Sequence, residues 1–268
     1  MTLSCITATY NLVVAGRGEM LRRCVESVAK IRDCEHIIVD GASRDGTIEL
    51  LHEFGCGLVI KSEPDRGIYD ALNKGIRLAK GEWIYILGCD DYIYDSEALE
   101  QVLRCTRNTD AEIVVTPVEK TSGGRSINLK TCLYSIPYCH QGVLMRKSLI
   151  ERVGGFDPTL KLAGDYNLTL KAHLSGAKEI VLPYKFAHYS TGGASSNWEA
   201  LHRETTEVAA RQFGLFEKEK ARFDGTRCLP IRILLPLLFH PRSMVRRGAA
   251  WQLVRNSAMA LGLYSVRN

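Results

Sequence analysis

The sequence predicts an α/β fold in which a mostly parallel sheet is flanked by helices, with a C-terminal helical amphipathic tail after it. Short apolar runs alternate with amphipathic stretches through the first 116 residues, which is the pattern of right-handed βαβ units. Of the 268 residues, 46% are hydrophobic and 24% are charged, so the chain can bury a sizeable core. These values exclude a disordered or a collagen-like chain.

Each apolar run of the first half is short and ends in turn residues, as expected for a buried strand. The five predicted strands are Leu3–Thr9, His36–Asp40, Leu58–Lys61, Trp83–Leu87 and Glu112–Thr116. The stretches between them carry apolar residues at helical spacing; in the first, Leu21, Val25 and Val28 share one face. The four predicted helices are Glu19–Ala29, Thr47–Phe54, Tyr69–Ala79 and Glu97–Cys105.

From residue 117 onward the alternation breaks, and each segment is interpreted by itself. Gly123 and Gly124 separate two short polar stretches and indicate a hairpin. The Gly/Ser-rich segment Ala187–Ser196 is predicted to be a loop. Helices are predicted at Lys147–Val153, Asp165–Leu174 and Glu199–Phe213, and a strand at Lys178–Leu182.

The charge of the chain is unevenly placed. The net charge is +5, yet seven arginines and no Asp, Glu or Lys follow Asp224, which leaves a net charge of −2 on the first 224 residues. A near-neutral body with a basic end is not typical of a nucleic-acid-binding protein, so no nucleic-acid partner is expected. Apolar runs such as Leu234–Phe239 alternate with single arginines, which fits either helices lying on anionic lipid or helices packed on the main domain.

The nine cysteines have neither zinc-site nor disulfide spacing, since their number is odd and no pair has C-x-x-C spacing. They are interpreted as small buried residues in a reducing compartment. The N-terminus has no basic segment followed by an apolar one, and the best candidate for a membrane span, Ile233–Phe239, has seven residues and contains Pro236. We therefore expect a cytoplasmic protein.

Acidic residues follow three successive predicted strands. Asp40 ends the second strand, Glu63 and Asp65 follow the third, and Asp90 and Asp91 follow the fourth. Ligands of open α/β sheets bind beyond the carboxyl ends of the strands, and an edge this acidic repels phosphate unless a divalent cation lies between them. The pattern therefore favours Mg²⁺ or Mn²⁺ with a nucleotide, although a simple turn at Asp90 and Asp91 is an alternative.

A dinucleotide-binding motif of the G-x-G-x-x-G type is excluded. Gly16 and Gly18 follow the first strand, and Asp40 lies 22 residues after Gly18, but Leu21 occupies the position of the third glycine. The strand also ends near Tyr10 and Asn11, and the five residues from Asn11 to Ala15 are too many for the tight first turn before Gly16.

Several ordered motifs resemble those of family 2 nucleotide-sugar glycosyltransferases, above all the small single-domain transferases of bacterial colanic acid, capsule and exopolysaccharide clusters. The motifs are Thr7–Asn11, Val39–Thr47, Ser62–Gly75, Ala79–Gly81 and Leu87–Asp91. The likeness is dense over residues 2–92, patchier to about 215 and absent from the tail. It implies a GT-A type, Rossmann-like fold and an inverting transfer from a nucleoside diphosphate sugar, with UDP or GDP as the expected nucleotide.

The resemblance also implies a domain division and a set of site residues. The catalytic domain would span 1–215, with a nucleotide-binding half of about 1–116 and an acceptor half of about 117–215, and the basic tail would span 216–268. Asp91 would bind the metal, with Mg²⁺ or Mn²⁺ as cofactor. The expected donor-binding residues are Thr9, Asn11, Asp40, Asp65, Asp70, Asn73, Lys74 and Asp90.

The segment Leu162–Leu168 resembles the acidic motif of the family at the start of a helix, which makes Asp165 the candidate general base. A carboxylate is needed there to take the proton of the acceptor hydroxyl as it attacks the anomeric carbon. An N-cap of the helix is the alternative role of Asp165, and the two roles are compatible. Weaker candidates are His140, His188 as a further metal ligand, and Gly193 in a glycine-rich phosphate-binding loop.

The resemblance suggests a lipid-linked glycan acceptor and a role in bacterial surface polysaccharide synthesis, peripheral at the inner face of the cytoplasmic membrane. Two alternatives stay open. A sugar nucleotidyltransferase would need a glycine-rich phosphate loop with a basic residue after the first strand, and Thr9–Val13 lacks it. A non-catalytic nucleotide-sugar-binding scaffold would not need both Asp91 and Asp165.

Overall fold

The computed structural model describes residues 2–55, 57–120, 127–128, 131–190, 197–241 and 243–260. Seven strands form the main sheet, and three short strands form a smaller one. In chain order the strands are β1 (Leu3–Thr9), β2 (Cys34–Asp40), β3 (Leu58–Ser62), β4 (Trp83–Ile86), β5 (Tyr92–Ile93), β6 (Ile113–Val115), β7 (Glu119–Lys120), β8 (Val143–Arg146), β9 (Glu179–Val181) and β10 (Ala187–Tyr189).

The main sheet has the order β3-β2-β1-β4-β8-β6-β9, and β8 alone runs antiparallel to its neighbours. The prediction of a mostly parallel sheet is therefore confirmed. The carboxyl ends of three strands are aligned in the sheet. Thr9 at the end of β1 pairs with Asp40 at the end of β2, and Asp40 pairs with Ser62 at the end of β3. The loops that follow these strands consequently meet at one edge of the sheet.

The seven helices predicted before residue 214 are all present, with ends within one residue of the predicted ones. Their positions agree with the amphipathic patterns in the sequence. Side chains also mark helix starts: Asp95 precedes the fourth helix and accepts a hydrogen bond from the amide of Ala98. Three further helices lie in the tail. The helices are α1 (Gly18–Val28), α2 (Thr47–Glu53), α3 (Ile68–Leu78), α4 (Ser96–Thr106), α5 (Lys147–Arg152), α6 (Gly164–Leu174), α7 (Trp198–Phe213), α8 (Glu217–Thr226), α9 (Ile231–Leu237) and α10 (Ser243–Ala260).

The prediction of a loop over Ala187–Ser196 was wrong at its start, where Ala187–Tyr189 forms β10. β10 pairs antiparallel with β5 and parallel with β7. A three-residue strand has no periodic pattern of its own, and its pairing partners lie far away in the chain. Residues 191–196 lie outside the described residues, as does the hairpin predicted at Gly123 and Gly124.

Helix α3 packs closely on β1 and β2, and a glycine allows this approach. A Cβ atom on Gly75 would lie 2.5 Å from Cγ2 of Ile6 and 3.2 Å from Cγ2 of Val39, both of which are buried in the sheet. Because α3 begins beside the carboxyl ends of these strands, the contact also fixes the position of the segment that precedes it.

The tail helices pack on the main domain. Phe223, Leu229 and Leu234 are buried in the same apolar cluster as the sheet residues, and the Trp251 ring stacks on Tyr134 with 5.8 Å between ring centroids. One of the two alternatives for the tail, packing on the domain, is thus observed, whereas the domain boundary at 215 stays a prediction. Within the described residues, no helix is both long enough and apolar enough to cross a bilayer.

We expect Gly75→Ala to lower the free energy of unfolding by about 1–3 kcal/mol, because the added methyl group overlaps Ile6 in a closed core. Gly225→Ala in α8 is the matched control: a Cβ there meets no atom within 4 Å, so the better helix propensity of alanine should leave stability unchanged or raise it by up to about 1 kcal/mol. Urea unfolding of both variants measures the difference. Equal effects of the two substitutions would contradict the close packing of α3.

Candidate active site

The buried carboxylate of Asp40 lies at the centre of the sheet edge. It accepts hydrogen bonds from Oγ1 of Thr9 at 3.0 Å, Oγ of Ser62 at 2.9 Å, and the amide and Oγ of Ser43 at 2.8 and 2.6 Å. Four donors, from the ends of β1 and β3 and from the loop after β2, compensate for the cost of burying a charge. A direct contact of Asp40 with a ligand requires one of these bonds to open, so the donor contact stays a prediction.

Asn11 continues this network into the loop after β2. Its backbone has a φ of 47°, its amide donates to Oγ of Ser43 at 2.8 Å, and its Oδ1 accepts from the amide of Arg44 at 3.2 Å. Asparagine is one of the few residues that adopts this left-handed conformation readily. Thr9, Asn11 and Asp40 are therefore brought together, as predicted, and they fix the loops after β1 and β2.

A cavity of about 510 Å³, here called the strand-end cavity, opens beside this network. Its walls include Thr9, Tyr10, Asp65 and Lys161. Asp65 accepts a hydrogen bond from the amide of Gly67 at 2.8 Å and approaches Gly41 so closely that a Cβ there would lie 2.7 Å from Oδ2 of Asp65. The volume is in the range of small-molecule sites, and the ring of Tyr10 is exposed for stacking.

The three predicted residues on α3 lie behind the wall of this cavity, and the described cavity lining does not include them. Nζ of Lys74 donates to the carbonyl of Pro64 at 2.6 Å and forms ion pairs with Glu63 at 3.2 Å and Asp70 at 3.6 Å. Both polar groups of the Asn73 amide bond the backbone of Phe156, at 2.9 and 3.0 Å. Asp70 and Lys74 thus hold the segment at Pro64 and Arg66 in the wall of the strand-end cavity, whereas Asn73 bonds Phe156, which lines a different cavity. The donor contacts of all three residues stay predictions.

Asp90 and Asp91 face a common point in the turn after β4. A Cβ atom on Gly88 would lie 2.7 Å from Oδ2 of Asp91 and 2.9 Å from Oδ1 of Asp90, so both carboxylates converge on a space that glycine leaves open. Burial raises the pKa of Asp91 to about 6, an effect that the amide hydrogen bond from Ser190 opposes and the charge of Asp90 reinforces. Arg17 approaches Asp90 at 3.8 Å.

These carboxylates fit a hard divalent cation. Mg²⁺ is commonly bound by one or two carboxylates together with water and substrate phosphates, and such a cation removes the cost of ionising the buried Asp91. In the described ranges of the chain, no group of three or more His, Cys, Asp or Glu side chains could hold a metal by itself. A site here would therefore need oxygen ligands from a substrate.

Two residues that the sequence analysis missed hold Asp91 in place. Nε2 of Gln141 donates to Oδ2 of Asp91 at 2.8 Å, and the amide of Ser190 donates to Oδ1 at 2.7 Å. Gln141 stands in a short 3₁₀ helix and Ser190 follows β10, so both come from the second half of the chain. In the sequence, only the position of Gln141 next to the candidate His140 could have indicated that it belongs to the site.

The weaker candidates have different outcomes. His140 is half-buried and lines a second cavity, and burial lowers its pKa to about 4, so the ring is neutral at pH 7. The His188 ring stacks on Tyr92 with 4.7 Å between centroids, and the guanidinium of Arg23 lies 4.1 Å from the centroid of the Tyr92 ring. Gly193 lies outside the described residues.

The second cavity, here called the Asp165 cavity, has a volume of about 230 Å³ and brings the two halves of the chain together. Its walls include Gly88 beside the paired acids, His140 and Gln141 from the 3₁₀ helix, and Asp165. Asp165 lies in the first turn of α6, whose N-cap position is occupied by Ala163. The structure therefore does not assign the N-cap role to Asp165.

A third missed residue, Glu204 on α7, positions the start of α6. Its carboxylate accepts hydrogen bonds from the amides of Lys161, Leu162 and Ala163 at 2.7, 2.6 and 2.5 Å. The next residue, Gly164, lies against the Tyr69 ring, where a Cβ would come within 2.5 Å of the ring atoms. These contacts fix the backbone that presents Asp165 to the cavity.

Two curated proteins are similar in sequence over most of the chain. A PGL/p-HBAD biosynthesis glycosyltransferase of Mycobacterium bovis is 29% identical over 208 residues, which cover 72% of this chain and 78% of that protein. An uncharacterized glycosyltransferase of Mycobacterium tuberculosis is 27% identical over 226 residues, which cover 77% of this chain and 80% of that protein.

Two solved structures share the fold. The crystal structure of S. aureus TarS 1-349 with UDP-GlcNAc has a TM-score of 0.66 and 17% identity, covering 100% of this chain and 94% of that one. The mannosyltransferase PcManGT of Pyrobaculum calidifontis with GDP-Man and Mn²⁺ has a TM-score of 0.61 and 20% identity, covering 98% of this chain and 81% of that one.

The structural likeness confirms the GT-A type fold, in which a mostly parallel sheet of seven strands lies between helices. The relatives are glycosyltransferases, as the motifs indicated. The family model described as glycosyl transferase family 2 matches residues 4–154, more than half of the sequence, and the chain therefore belongs to this family.

Proposed function

We propose that this family 2 glycosyltransferase is a metal-dependent, inverting enzyme that moves a sugar from a nucleoside diphosphate sugar to a lipid-linked glycan of a bacterial surface polysaccharide. One observation carries the proposal: Gly88, on which two carboxylates converge, and Asp165 line the same cavity. A displacement with inversion needs charge stabilisation on one side of the anomeric carbon and a base on the other.

The strand-end cavity is the proposed donor site. Tyr10 would stack on the base, Asp65 would accept a hydrogen bond from it, and the network around Asp40 would hold the loops that surround the ribose. The TarS and PcManGT structures contain UDP-GlcNAc and GDP-Man, which supports UDP or GDP as the nucleotide.

Asp91 is the proposed metal-binding residue, with Asp90 beside it near the ribose or sugar of the donor, and Mg²⁺ or Mn²⁺ bound at Asp91 would neutralise charge on the leaving diphosphate. The Mn²⁺ in the PcManGT structure supports a divalent metal. Gln141 and Ser190 orient the Asp91 carboxylate, and their hydrogen bonds fix the direction of its oxygen atoms. His140, neutral and beside Gln141, is available to donate a hydrogen bond to a sugar hydroxyl.

Asp165 is the proposed general base. It takes the proton from the acceptor hydroxyl, and its half-buried position on the Asp165 cavity keeps it within reach of a bound sugar. Glu204 holds the backbone before α6, so that the carboxylate keeps a fixed position as the hydroxyl arrives.

We also propose that the tail contacts the cytoplasmic face of an anionic membrane. Ile231, Leu235 and Phe239 are exposed and lie four residues apart, which places them on one side of α9 and the turn after it; Phe239 is 87% exposed. The segment after Asp224 has no acidic residue, and arginines such as the exposed Arg247 favour anionic lipid headgroups. Free cysteines throughout the described residues are consistent with a reducing compartment.

The donor site is tested by thermal unfolding of the protein with UDP, GDP, dTDP or CMP, each with and without Mn²⁺. We expect one diphosphate to raise Tm only when Mn²⁺ is present, and Asp91→Asn to abolish this rise because it removes the charge that attracts the cation. Asp110→Asn is the matched control, since its carboxylate is exposed before β6 at the opposite edge of the sheet. A Tm rise that is independent of Mn²⁺ or unchanged in Asp91→Asn would contradict the proposed metal site.

The base is tested with Asp165→Asn. We expect the rate of sugar transfer to fall by about 100-fold or more, because the amide cannot accept the hydroxyl proton. Stabilisation by the nucleoside diphosphate and Mn²⁺ should stay at the wild-type level, since Asp165 does not line the strand-end cavity. Unchanged transfer in Asp165→Asn would show that another group takes the proton.

The membrane contact is tested by co-sedimentation with phosphatidylglycerol vesicles and with phosphatidylcholine vesicles. We expect binding to the anionic vesicles alone, and a fall of at least about tenfold when Ile231, Leu235 and Phe239 are all replaced by Ser, because three apolar groups leave the bilayer. Val181→Ser, an exposed position on β9, serves as control. Equal binding of the triple variant would exclude α9 as the contact.

A further inference from the structure

A third cavity adjoins the Asp165 cavity and has no role in the chemistry described so far. It has a volume of about 230 Å³ and is here called the Trp198 cavity. Ile136 and Leu201 line both cavities, so the Trp198 cavity lies next to the Asp165 cavity, with these two side chains between them. A molecule that places a hydroxyl at Asp165 would therefore have the Trp198 cavity beside it.

Three aromatic residues contribute to the walls of the Trp198 cavity. Tyr134 and Tyr166 contribute rings, and Trp198 stands at the rim in the first turn of α7, where it is 71% exposed. The Tyr134 ring is held by its stack on Trp251, and the hydroxyl of Tyr166 donates to the carbonyl of Leu133 at 3.1 Å. Two fixed rings and one exposed indole favour an apolar, planar or unsaturated group.

A guanidinium stands in the same cavity. Arg227 donates to Oγ1 of Thr206 at 3.0 Å and to the carbonyl of His202 at 3.3 Å, both of which are neutral acceptors. The carboxylate of Asp224, three residues earlier, is bonded to His202 and Thr206, and it also attracts the guanidinium of Arg227 electrostatically. Arg227 is thus a partly buried cation in the cavity wall, where its planar guanidinium can donate hydrogen bonds to an anionic group.

We infer that the Trp198 cavity binds the aglycone of the acceptor, an apolar group that carries a phosphate, with the apolar part against Tyr134 and Trp198 and the phosphate at Arg227. The inference rests on the proposed transfer reaction, because the reacting sugar of such an acceptor would occupy the Asp165 cavity. An isoprenoid phosphate and an aryl phosphate both have this chemistry.

Helix α7 links the two sites. Trp198, Leu201 and Thr205 of α7 line the Trp198 cavity, whereas Glu204 of the same helix bonds the backbone before Asp165. An aglycone bound against α7 would therefore contact the same helix that positions the base.

The test titrates the full-length protein with farnesyl phosphate, phenyl phosphate and inorganic phosphate, and follows tryptophan fluorescence. We expect saturable quenching with one of the two organic phosphates, and binding at least about tenfold weaker for inorganic phosphate, which lacks the apolar part. The organic phosphate that binds more tightly identifies the isoprenoid or the aryl class.

Trp198→Ala should abolish the quenching, whereas Phe216→Ala, an aromatic residue that is 70% exposed outside the cavity, should keep it. Arg227→Gln should weaken binding of the organic phosphate by about tenfold or more, and Arg227→Lys should retain most of the affinity. Circular dichroism and thermal unfolding verify that each variant is folded.

Absence of saturable quenching, or quenching that is equal in Trp198→Ala, would overturn the inference. Because no transfer is measured, this result is distinct from a failure of the proposed function. A protein that is stabilised by nucleotide and Mn²⁺ but binds neither organic phosphate would keep its donor site and lose the proposed aglycone site.

Discussion

The buried carboxylate of Asp40 is the interaction on which the site edge depends. It joins the ends of β1, β2 and β3 to the loop at Ser43, and four hydrogen bonds offset the cost of its burial. Removing one partner would leave a buried charge short of donors, so the three strand ends and the loop form one cooperative unit. The shape of the strand-end cavity therefore depends on the positions in which this unit holds the strand ends and the loop.

The sequence allowed the main sheet, its helices and the acidic edge to be predicted, because these features are local. A run such as Leu3–Thr9 predicts a buried strand, and Asp91 lies four residues after the end of another such run, Trp83–Leu87. Gln141, Ser190 and Glu204 could not be found in this way. Each acts on a backbone or carboxylate more than forty residues distant, and nothing in the surrounding residues marks the pairing.

The two halves of the chain contribute differently to the site. The first half supplies the parallel strands whose loops form the strand-end cavity, and its side chains bond mainly to each other. The second half supplies Gln141 and Ser190 to Asp91, and it carries Asp165. The proposed donor and acceptor sites therefore meet where the halves join, and a shift between the halves would alter the surroundings of Asp91 and Asp165 together.

Arg227 has a left-handed backbone, with a φ of 55°, at the end of α8. Glycine is the usual residue at such a helix end, and a residue with a Cβ is less favourable there by about 1 kcal/mol. The guanidinium of Arg227 offsets part of this cost, because it donates hydrogen bonds to Oγ1 of Thr206 and to the carbonyl of His202 on α7. A glycine at this position would relax the end of α8 but would release it from α7.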